Sequence, residues 1–107
     1  AAGWARQQTE NTERRMRFDA YAVLNQQLRD LIDEGLRVME EEDASVRKRE
    51  LKRLEKVSRA ALERVRSIMP GSRMASCYEV VYDAFREAVE GNMEEAKSRL
   101  ERIRREI

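Results

Sequence analysis

Apolar residues return every three or four positions through most of the chain, and breaks in that rhythm mark where helices end. Between residues 13 and 41, Tyr21, Leu24, Leu28, Leu31, Ile32, Val38 and Met39 fall on one helical face, with Gly35 among them. A glycine inside such a stripe costs about 1 kcal/mol relative to alanine, which close approach of a neighbouring helix would offset. A second stripe, from 46 to 69, runs through Leu51, Leu54, Val57, Ala61, Val65 and Ile68. Extending the first rhythm without a break would put Glu42, Ser45, Arg49 and Lys52 in the seam, so a turn is expected near residues 43–45. Asp43 or Ser45 can cap the second helix, and the two helices form a hairpin.

Pro70, Gly71 and Ser72 end the second helix. Ser76 and Glu79 then have the spacing of a capping box ahead of Tyr78, Val81, Tyr82, Phe85, Ala88 and Val89. Gly91 suits a left-handed C′ position, and Asn92 with Glu95 reads as the start of a fourth helix whose apolar face is Met93, Ala96, Leu100, Ile103 and Ile107. Residues 1–12 lack apolar periodicity and read as a mobile N-terminal arm, with Thr12 able to cap the helix that follows. Residues 13–107 then form a single domain. The expected fold is all-α, an antiparallel helical bundle of about four helices: a long hairpin and two shorter helices. Gly91 to Ala96, followed by Leu100 and with Ala84 before it, resembles the turn and second helix of a tetratricopeptide repeat. Asp83 and Glu87 stand where that family's first helix is apolar and no 34-residue period occurs elsewhere in the sequence, so the letters are read as a capped helical hairpin.

Composition narrows the chemistry. The chain has 107 residues, 40% of them charged, and no histidine, which removes the commonest metal ligand and the usual general base near neutral pH. No cofactor or metal is expected; the acidic run Glu40 to Asp43 splays around a helix and lacks calcium-loop spacing. Cys77, the one cysteine, cannot form an internal disulfide and sits just inside the expected start of the third helix, where the plainer reading is a buried small residue. The longest apolar run is Ala20 to Leu24, so the expectation is a soluble, cytoplasmic protein with no membrane partner.

Net charge is +1, but it is unevenly spread. Residues 19–45 hold eight acids and two arginines, net −6, whereas residues 46–66 hold nine bases and three acids, net +6. Lys48, Arg49, Lys52, Lys56, Arg59 and Arg66 lie opposite the second apolar stripe and could meet a nucleic acid or an acidic partner. The plainer reading is a solvated face with pairs such as Glu55 to Arg59. Glu79, Asp83, Glu87 and Glu90 repel one another along the third helix, which calls for a basic partner within the chain, in a second copy or in another protein. Trp4 is a possible interface anchor. The expected function is a non-enzymatic helical protein–protein interaction or adaptor module that self-associates. The alternatives are a small nucleic-acid-binding protein using the basic face of helix two, and an accessory subunit of a larger complex.

Overall fold

Three short connections turn the chain back on itself, each held by identifiable hydrogen bonds. The computed structural model describes residues 2–107, with side chains described from residue 20 onward. The helices are α1 (Ala2–Met39), α2 (Ala44–Ile68), α3 (Arg73–Val89) and α4 (Met93–Glu106), and no strand occurs among the described residues. At the first turn the Asp43 carboxylate accepts from the backbone N–H groups of Ser45 (2.9 Å) and Val46 (3.2 Å), so Asp43 caps α2 and the expected hairpin forms. At the last turn Gly91 has φ 102°; its N–H reaches the Ala88 carbonyl at 3.1 Å and the Asn92 N–H reaches Glu87 at 2.9 Å. This paired bonding satisfies the final carbonyls of α3 through a left-handed residue.

Two boundaries and one cap differ from the sequence reading. The helix expected from residue 13 begins at Ala2 and takes in the segment read as an irregular arm, a stretch with no proline to stop it. The third helix starts at Ser72, one turn before the expected Ser76. Gly71, at φ 69°, turns the chain immediately after Pro70, and the Ser72 hydroxyl accepts from the Ala75 N–H at 3.1 Å. Ser76 then lies inside the helix and donates to the Ser72 carbonyl at 3.3 Å. Asn92 precedes α4 but makes no side-chain cap, because its amide donates to the Glu87 carboxylate at 2.8 Å.

Successive helices run antiparallel in an all-α bundle, and α1 touches the other three while α2 and α4 stay apart. The close approach expected at Gly35 is supplied by Phe85. A Cβ at Gly35 would meet the Phe85 ring, with Cζ only 2.7 Å away, and Leu100 Cδ1 at 3.2 Å. Tyr78 strengthens the same α1–α3 contact: its ring is fully buried and its hydroxyl donates to the Leu24 carbonyl at 2.6 Å. Leu28, Ile32, Leu54, Val65, Val81 and Leu100 are fully buried in the same core cluster as these two rings.

Candidate interaction surfaces

Two arginines identify the flanks of α2. Arg53 bonds Glu34 of α1 and Glu50 of its own helix (2.9 Å), while Arg66 reaches Glu79 of α3 at 3.4 Å. The carboxylates of Glu50 and then Glu34 hold the Arg53 guanidinium above its usual pKa. Away from the buried stripe, all six basic residues singled out in the sequence, Lys48, Arg49, Lys52, Lys56, Arg59 and Arg66, are exposed. Arg59 pairs with Glu63 at 3.7 Å rather than with Glu55. Lys48, Arg49, Lys52 and Lys56 make no ion pair among the described residues.

The acidic row of α3 does not converge on one partner. Glu79 takes Arg66, and Glu87 takes the Asn92 amide. Arg104 of the basic C-terminal segment instead pairs with Asp33 of α1 at 2.9 Å, and Arg99 with Glu95 at 3.2 Å. Asp83 and Glu90 have no ion pair among the described residues. The side chain of Trp4 lies outside the described residues.

An apolar feature that the stripe analysis placed in the core lies on the surface instead. Val57 is 43% exposed and Ile68 53% exposed, while Ser58 and Leu62 take core positions on α2. Ser58 is accommodated because its hydroxyl donates to the Glu55 carbonyl at 2.9 Å. Val57 lies one turn beyond Arg53, and Arg64 and Ile68 continue that stripe, so these residues follow the α1 side of α2. On α1, Val23, Gln27, Asp30 and Glu34 form the corresponding stripe, and Val23 is 56% exposed. Asp33 and Arg29 face the other way, toward α4: Arg29 Nη2 donates to the Ile107 carbonyl at 2.7 Å. Among the described residues, three of the four large exposed apolar side chains, Val23, Val57 and Ile68, therefore border one seam between α1 and α2. The signal available in the sequence was the phase of Ser58 and Leu62, which together with Leu51, Leu54 and Val65 make a tighter stripe than Val57 and Ile68 do.

The fourth, Tyr21, borders a cleft of about 160 Å³ with Leu28, Met74, Cys77 and Ile107. Sites for drug-sized ligands begin at about 300 Å³. Cys77 is buried in the second turn of α3, since the helix starts earlier than expected, and burial pushes its thiol pKa up against the opposing pull of Arg73. Among the described residues no group of three potential metal ligands occurs, and no helix is long and apolar enough to cross a membrane. In the Glu40–Asp43 run, Asp43 caps α2 and Glu41 accepts from the Asp43 N–H at 3.3 Å. Compared with protein-family models, curated proteins and solved structures, the chain matches none, so these surfaces must be interpreted from their own chemistry.

Proposed function

We propose that the protein is a non-enzymatic helical interaction module that self-associates through helix-to-helix contact. The observation supporting this reading is the line of Val23, Val57 and Ile68, each roughly half exposed, along the seam of α1 and α2. Completing the burial of a half-exposed aliphatic side chain gains on the order of 1 kcal/mol. Apolar side chains gathered along one seam suit a contact site, whereas ones scattered singly over a surface carry no such meaning. Sedimentation velocity should show a species larger than the 12.6 kDa chain. Val57→Asp together with Ile68→Asp should return it to a monomer with unchanged helical circular dichroism, because neither side chain is part of the buried core. A wild-type chain that remains monomeric at about 100 μM, a concentration well above a typical micromolar affinity, would overturn the proposal.

A second reading, nucleic-acid binding, draws on Lys48, Arg49, Lys52 and Lys56, cations without ion-pair partners among the described residues. It requires binding to duplex or single-stranded nucleic acid that weakens steeply with salt and is lost on reversing Lys52, Lys56 and Arg59 to Glu. Affinity unchanged from about 50 to about 200 mM salt would rule it out.

A further inference from the structure

We infer that the α1/α2 seam is covered by a second copy of this chain, related by a two-fold axis parallel to the helices, so that α1 of each copy lies over α2 of the other. This rests on the self-association proposed above and specifies its surface and geometry. The α1 stripe carries Asp30 and Glu34 beside Val23, and the α2 stripe carries Arg53 and Arg64 beside Val57 and Ile68. Because the Glu34 and Arg53 pair fixes the antiparallel register, Asp30 lies level with Val57, Gln27 with Ala60 and Val23 with Arg64.

A two-fold axis along the bundle preserves these heights while exchanging the two stripes. Glu34 of each copy then approaches Arg53 of the other, joining two intrachain pairs into one alternating network. Asp30 falls near the facing copy's Lys56, and Val23 lies between the heights of the facing copy's Val57 and Ile68. An axis across the helices would set α2 against α2 and bring Arg53, Lys56 and Arg64 toward the same residues of the second copy. Like charges facing across an interface are disfavoured, so the charge pattern selects the first arrangement.

Size is compatible with a stable contact. α2 has 25 residues, about 37 Å at 1.5 Å per residue, and the molecule is 20–23 Å across. The face therefore offers about 750 Å² per copy, close to the roughly 800 Å² per partner of a standard interface. The arrangement is isologous and closes at two copies.

The test uses exposed residues outside every ion pair described above: Gln27, Asp30, Lys56 and Arg64. Three full-length variants are compared with wild type by sedimentation velocity: Gln27→Lys with Asp30→Lys, Lys56→Glu with Arg64→Glu, and the chain carrying all four changes. Each two-residue variant should weaken self-association by at least about tenfold, since like charges now face each other. The four-residue variant, with both stripes reversed, should recover to within about threefold of wild type. If a reversed pair loses helicity, Asp30→Asn and Lys56→Gln replace it, each with about a threefold loss expected. Two-residue variants that associate like wild type, or a four-residue variant that fails to recover, overturn this geometry while leaving self-association standing. A monomeric wild type overturns self-association itself.

Discussion

Phe85→Ala is expected to lower the unfolding free energy by about 3–5 kcal/mol, a large share of what a domain of this size commands. The ring is fully buried and lies directly over Gly35, where α3 meets α1 most closely. The same contact makes a second substitution diagnostic. Gly35→Ala gains about 1 kcal/mol of helix propensity, but the new Cβ would lie 2.7 Å from Phe85 Cζ. Neither a helix backbone nor a fully buried ring yields readily, and overpacking of this kind costs about 1–3 kcal/mol. Gly35→Ala should therefore destabilise the wild-type chain and stabilise Phe85→Ala, whose vacated space admits the methyl group. Urea unfolding of the two single variants and the double variant, at one fixed chain concentration, measures the coupling. Additive effects would show that Gly35 and Phe85 do not share the contact.

Alkaline pH should weaken the fold through Tyr78. Burial pushes its phenol pKa up to about 12 from the ordinary 10, and the neutral hydroxyl is the form that donates to the Leu24 carbonyl. The unfolded chain thus releases this proton first. The contribution is fully present below pH 10, and it falls by about 1.4 kcal/mol per pH unit as pH rises to 12. Up to about 2.7 kcal/mol would be lost from this one group. Tyr78→Phe should remove that part of the pH dependence and cost about 1 kcal/mol at neutral pH through the lost hydrogen bond to the Leu24 carbonyl. Comparing denaturant midpoints of the two chains from pH 8 to 12 isolates the effect from lysine titration, which both share. Parallel curves would place the ionisation elsewhere.

Much of the bundle can be read in the order of the residues. The turn at Asp43 follows from the phase of the first stripe, Pro70 and Gly71 mark the second turn, and Gly91 supplies the left-handed residue that closes α3. These are local effects, in which a cap or a positive φ acts within four residues of where it is written. Gly35 announced a close approach, though not that Phe85 would make it. At the start of α3 two local solutions compete. Ser72 and Ser76 can each cap a helix, and the position of Gly71 decided between them.

The candidate surface was less legible. The opposite charges of α1 and α2 were plain in the sequence, yet among the described residues one interhelical ion pair, Arg53 to Glu34, joins them. Val57 and Ile68 have the spacing of core residues, and only the tighter phase of Ser58 and Leu62 beside them signals that they are left half covered. Composition and periodicity determined that this protein is helical, where three of its turns fall and how its charge is divided. Tertiary packing decided between two overlapping stripes of α2, taking Ser58 and Leu62 into the core and leaving Val57 and Ile68 outside. A helix presents several adjacent stripes to its neighbours, and which of them is buried depends on where the other helices lie, a relation between distant parts of the chain that periodicity within one helix does not encode.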